Sequence, residues 1–330
     1  MDQQQKTKRF GFYIILCACV LRLSMAGIPG MLLRNLVQTG TSSILTYLET
    51  GRNVRFSASL EKKMDFFRES PMPWIPLPEK PRFSKSDAAF VEMDYDCVYR
   101  PDLEILVTQP LDWNLTGVEP KVLILHTHTT ESYTKDGEQY TETAAYRTLD
   151  ENFNMLSIGD VVAQTLEQAG ISVIHDRKIH DYPSYSGAYV HSRSTVEEIL
   201  EQYPSICLVL DLHRDALEKN GRQYRPLVQV DGGAAAQLML VVGTNVSRQS
   251  HENWQENLSL ALKLQIQLQR LSPEIMRPLN LRSQRFNQDL SPGALLVEVG
   301  AAGNTREEAV AAARKLAEAV VSLMMGCETE

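Results

Sequence analysis

From about residue 120 onward the chain alternates short apolar runs with stretches of helical periodicity, and this alternation restricts its fold more than any other feature. Apolar runs at 121–125, 171–174, 205–212, 237–242 and 293–299 are short and rich in Val, Ile and Leu, so each reads as a buried strand. Between them, 154–169 places Met155, Ile158, Val161, Val162 and Leu166 at helical spacing and stops at Gly170. Further helices are expected at 194–201, ended by Tyr203-Pro204, at 253–270 with an unusually leucine-rich face, and at 305–325. Strands alternating with helices predict an α/β fold, a mostly parallel sheet flanked by helices.

Upstream the pattern changes. Residues 34–115 have no sustained period beyond short helical pieces such as 57–67, and PMPWIPLPEKP at 71–81 sustains neither helix nor central strand, so an irregular spacer is expected. At the start, Lys6, Lys8 and Arg9 precede an apolar run from Phe10 that continues past Arg22 to about Leu33. A retained single-pass anchor, a cleaved signal and a lipid-modified Cys19 all fit this run, and Arg22 in a span would have to snorkel. Each places the remainder outside the cytoplasm, because basic flanks stay inside. The expected organisation is a membrane anchor or signal at 1–33, a spacer at 34–115 and a catalytic domain at 116–330.

Composition narrows the function. A hydrophobic content of 43% with 22% charged residues supports an ordinary core, and a formal net charge of −8 argues against a dedicated nucleic-acid binder. Five cysteines without a CxxC pair exclude a cysteine zinc knuckle and make a disulfide framework unexpected.

In parallel sheets the chemistry collects beyond the carboxyl ends of strands. His126, His128 and Glu131 follow the strand at 121–125 in VLILHTHTTESY, His213 ends the strand at 205–212 in LDLHRDA, and Glu298 lies late in the last strand, in LLVEVG. Two histidines and a glutamate form one of the three-donor sets that catalytic zinc uses. The ion lowers the pKa of its water to about 7 and polarises a carbonyl. A further carboxylate, for which Glu298 is the candidate, then carries the water proton to the leaving nitrogen. The competing reading is structural: hydrogen-bonded histidines, and a salt bridge from Glu298 to Arg214 or Arg285. Arg214 and Asp215 suit either a charged substrate group or the orientation of His213. His175 and His180 flank a charged loop and suit substrate contact or a hydrogen-bonded role, and YPSYSG at 182–187 suits an exposed groove wall.

These stretches, together with IHDRKIHD at 174–181, VGTN at 242–245, NQDLSPG at 287–293 and LVEVGAAGNT at 296–305, resemble stage II sporulation protein P of endospore-forming bacteria over nearly two-thirds of the chain. The resemblance implies a zinc-dependent peptidoglycan hydrolase with a fold similar to the N-acetylmuramoyl-L-alanine amidases. Such an enzyme cuts the muramoyl–alanine amide and also peptide cross-links during engulfment, with stage II sporulation proteins D and M as partners at the membrane. It makes His213 and His128 metal ligands and Glu298 the catalytic glutamate. Thr127-His-Thr-Thr stands where the amidases carry Gly-His-Gly-Gly, which leaves His126 as an alternative ligand. Glu131 and Glu151 are both open as the carboxylate ligand, with Glu131 preferred because it belongs to the matching block. A non-catalytic wall- or partner-binding module on the same fold is the alternative function.

Overall fold

The computed structural model describes residues 81–135, 140–247 and 250–325, which belong to the unit Ile75–Glu330. The expected membrane segment, the helix at 57–67 and the proline-rich run up to residue 80 lie outside the described residues. In chain order, β1 (Met93–Asp96), α1 (Leu103–Thr108), β2 (Val122–Leu125), α2 (Met155–Gln168), β3 (Val173–His175), α3 (Ala188–Gln202) and β4 (Leu208–Asp215) come first. Two small hairpins follow, β5 (Glu218–Lys219) with β6 (Arg222–Gln223) and β7 (Leu227–Val230) with β8 (Gly233–Ala236). β9 (Leu238–Gly243), α4 (Trp254–Leu271), β10 (Leu279–Arg282), β11 (Ala294–Ala301) and α5 (Arg306–Met325) complete the order.

Seven strands form one sheet in the order β1-β10-β9-β11-β4-β2-β3. All neighbours are parallel except β9 and β11, so the sheet is mostly parallel, as the alternation requires. The helices form where local signals put them. Asn154 caps α2 by accepting the Leu156 N–H, and Gly170 beyond its end takes a left-handed φ of 88°.

Strand residues alternate between two unequal layers. Val122, Ile124, Leu208, Leu210, Leu212, Leu295 and Val297 pack with α2, α4 and α5 in the main core. Leu123, Leu125, Val209 and Ala294 on the opposite face meet Val196 of α3, while Met239, Val241 and Leu296 form a small cluster against Phe286. Asp211, His213 and Glu298 alternate with main-core residues and therefore belong to this thinly covered second face.

The expected boundary at residue 116 needs correction. Residues 81–115 contribute β1, paired in parallel with β10 at the sheet edge, and α1, whose Leu106 and Val107 are buried against α4. A four-residue half-buried edge strand is too short to show a period, and that hid it in the sequence. Among the described residues no helix is long and apolar enough to cross a membrane.

Candidate active site

β2 runs into a turn over 127–130 that distributes its polar residues to different places. His126 still follows the strand alternation toward α2. Its Nδ1 donates to the Leu212 carbonyl at 3.1 Å, and its Nε2, 2.9 Å from His175 Nε2, accepts from that ring. Burial, reinforced by His175, pushes its pKa down to about 3. With both nitrogens engaged, His126 is not the ligand that its position in the motif suggested.

The turn itself is braced from two sides. Thr127 donates its N–H and hydroxyl to Asp211 at 2.8 and 2.6 Å, and Thr130 donates its own pair to Asp181 at 3.1 and 2.7 Å. His180 is buried, donating its N–H to Thr129 Oγ1 at 3.2 Å and its Nε2 to Asp176 at 2.8 Å. It therefore supports the turn.

His128, Glu131 and His213 come together. The His128 and His213 ring centroids are 5.2 Å apart at 84°, and Glu131 Oε2 is 3.6 Å from His213 Nδ1. Arg214 locks Glu131 in place: its backbone N–H lies 3.3 Å from Oε2, its Nη1 3.4 Å from Oε1, and its Nε and Nη2 donate to the Ser132 and Tyr146 carbonyls. Burial alone would raise the Glu131 pKa, but Arg214, His213 and His128 outweigh it and bring the carboxyl down to about 2. For His128, burial dominates over Glu131 and lowers the pKa to about 4, leaving a neutral ring. Burial also opposes charge on His213, yet Asp211 and Glu131 on either side hold its pKa well above the ordinary histidine value.

Glu298 faces this group from the neighbouring strand, in register with His213. It keeps a small solvent-exposed edge, but protein surrounds its carboxyl and Oε2 is buried without a hydrogen bond. Burial, with Asp215 and Glu131 adding to it, outweighs His213 and Arg214 and pushes its pKa up to about 8. The salt bridge that could have explained Glu298 is not formed. Arg214 serves Glu131, and Arg285 pairs with Asp289 at 3.1 Å. Asp215 is engaged by Arg277 at 2.7 Å. Glu151 lies on the surface in an ion pair with Arg177 at 2.7 Å, which removes it as the alternative ligand.

The donors suit a divalent ion in chemistry. Buried His128 Nδ1 and His213 Nε2 have no hydrogen-bond partner, and the latter lies 3.0 Å from Asp211 Oδ1 but outside hydrogen-bond geometry. Two imidazoles sharing a tetrahedral zinc through bonds of about 2.0–2.1 Å hold their centroids roughly 5 Å apart, as these two do. Among the described residues, however, no three His, Cys, Asp or Glu side chains are already arranged to hold an ion. Asp211, Tyr185, Tyr189 and Arg147 also belong to the site but drew no individual role from the sequence. Tyr185 stacks on His128 at 4.2 Å, the Tyr189 ring meets His128 edge-on at 5.5 Å, and the Arg147 guanidinium lies 4.0 Å over Tyr185. Only the Tyr185 loop carried a signal, as the expected groove wall. Two cavities of about 390 and 360 Å³ lie elsewhere, around Trp113 and Pro204 and around Phe83 and Lys263, and touch none of these residues.

The sequence profile of the stage II sporulation protein P family matches residues 76–321. Stage II sporulation protein P of Bacillus subtilis (strain 168) is 28% identical over 216 residues, 62% of this chain and 51% of the relative, so this chain spans about half the length of that protein. Among solved structures, the amidase Ami1 of Mycobacterium smegmatis overlaps with a TM-score of 0.39 at 11% identity, covering 63% of this chain and 99% of that one. The CwlD amidase of Clostridioides difficile, solved with the GerS lipoprotein, overlaps with a TM-score of 0.39 at 16% identity, covering 62% and 95%. Overlaps at this level carry no weight for activity.

Proposed function

This chain belongs to the stage II sporulation protein P family, and from that premise we propose that it is a zinc-dependent peptidoglycan hydrolase cutting the N-acetylmuramoyl-L-alanine amide. His128, Glu131 and His213 would hold the ion. A divalent ion bound there would supply Lewis-acid polarisation of the scissile carbonyl and a water of lowered pKa. Glu298 would take the proton of the attacking water and pass it to the departing alanine nitrogen, a role suited to a carboxyl that no cation pairs and whose proton affinity burial raises. Arg214 keeps Glu131 ionised, and Asp211 fixes the turn that carries His128.

One observation carries the proposal: the buried, unpartnered carboxyl oxygen of Glu298 stands in register with His213. Burying such a group is costly and serves no purpose in a module that only binds wall material or a partner. The same reading includes cleavage of peptide cross-links, attachment to the cell membrane through residues 1–33 with the catalytic unit outside the cytoplasm, and stage II sporulation proteins D and M as partners.

Zinc analysis combined with mass spectrometry of digested sacculi tests it. Wild type should carry zinc and release peptides with a free alanine amine. His213→Ala should lose the metal, and Glu298→Gln should keep it while turnover falls by about 100-fold or more. Full activity in Glu298→Gln, or a zinc-free active protein, overturns the assignment.

A further inference from the structure

Arg147 has features that the hydrolysis step does not use. Its guanidinium lies 4.0 Å over the Tyr185 ring, whose stacking on His128 at 4.2 Å leaves only the opposite face for the arginine. Arg177, Arg193, Arg214 and Arg277 each pair with a carboxylate, whereas Arg147 has none within 4.0 Å among the described residues. Its Nε is buried and lacks a hydrogen-bond partner. An arginine that is held on a ring, partly desolvated and unpaired is prepared for an anion.

The backbone places this cation on purpose-built support. Arg147 bridges to Glu131 and Ala144, with its N–H donating to the Ala144 carbonyl at 3.0 Å. The preceding Tyr146 takes a left-handed φ of 54°, uncommon for a side chain of this size, and its carbonyl accepts from both Ser132 N–H and Arg214. The turn that presents Arg147 is thus tied to the segment carrying Glu131.

We propose that Arg147 binds a free carboxylate of the substrate peptide and thereby selects which wall peptides the site accepts. The inference rests on the hydrolase reading above for the position of the scissile bond. Arg147 and His128 lie on opposite faces of the Tyr185 ring, at 4.0 and 4.2 Å, a separation within reach of about two to three residues of extended peptide. In a stem peptide whose second residue is a γ-linked glutamate, the α-carboxylate hangs free at about that distance from the amide to be cut. The planar guanidinium fork matches it in two parallel hydrogen bonds.

The test uses the full chain and a pair of probes whose γ-carboxyl is capped, L-alanyl-D-glutamic acid γ-methylamide and its α-amide, so that the two differ only in the α-carboxylate. By calorimetric titration, wild type should bind the carboxylate form about tenfold more tightly than the amide. Arg147→Gln should remove that preference while leaving amide affinity and zinc content unchanged. Tyr185→Leu, which unseats the guanidinium without removing its charge, should weaken the preference too. With N-acetylmuramoyl versions of both probes, the loss should appear in KM for the carboxylate substrate and not in kcat. Equal binding of the two probes by wild type, or an equal loss of both in Arg147→Gln, overturns the proposal. Discrimination in binding without any cleavage would refute the hydrolase reading alone, and cleavage without discrimination would refute only the role of Arg147.

Discussion

Glu298 and Glu131 show how a few ångströms decide what a carboxyl is. Both are enclosed by protein, yet Glu131 beside Arg214 falls to about 2 and Glu298, lacking a pairing cation, rises to about 8. Their effects on stability have opposite signs. The unfolded Glu298 carboxyl ionises near 4.5 and the folded one only near 8, so its contribution is intact below pH 4.5 and is lost as pH rises toward 8. Glu131 stabilises above pH 4.5 and loses that contribution as pH falls toward 2. In metal-free protein, Glu298→Gln should therefore match wild type at pH 4.5 and exceed it at pH 8, by roughly a few kcal/mol. Denaturant melts at the two pH values, in the presence of a chelator, measure the difference. An unchanged gap would mean that Glu298 ionises normally in the folded protein.

At the level of elements, α2 and β2 are fitted together through a polar contact. Gly159 in the middle of α2 leaves room for two imidazoles, and a Cβ there would lie 2.5 Å from His126 Nε2 and 2.4 Å from His175 Nε2. Neither ring is free to retreat, since His126 is bound to the Leu212 carbonyl and His175 Nδ1 lies 3.2 Å from Asp160. Helix propensity predicts that Gly159→Ala gains up to about 1 kcal/mol. Overpacking costs about 1–3 kcal/mol and should win. Equilibrium unfolding should show a net loss, and a more stable variant would mean that the rings have another place to go.

The whole molecule is built asymmetrically. Three helices, α2, α4 and α5, bury one face of the sheet, while α3 and the loop around Phe286 only partly cover the other, where Asp211, His213 and Glu298 lie. Thin cover makes the second face accessible, and the thick first layer provides the stability. Residues before 116 belong to that first layer: Ser259 Oγ and Lys263 Nζ donate to the Leu106 carbonyl at 2.8 and 3.1 Å, and β1 closes the β10 edge. A fragment 116–330 should therefore expose an open strand edge and aggregate, whereas 76–330 should remain monodisperse in size-exclusion chromatography. A well-behaved 116–330 would show that β1 and α1 are dispensable.

Much of this protein is local and so was legible in the sequence. Apolar runs and helical spacing determine that β2, β4, β9, β11 and α2 exist, because burying those side chains requires it. The same logic brings His128, Glu131, His213 and Glu298 to one end of a parallel sheet. The tertiary structure alone separated His126 from His128, since one ring follows the strand toward α2 while the other turns away with 127–130. It alone consigned Glu151 to a surface ion pair and added Asp211, Tyr189 and Arg147 to the site. The reason is physical: periodicity fixes which side of its own element a residue occupies, but the partner it meets depends on packing between segments far apart in the chain.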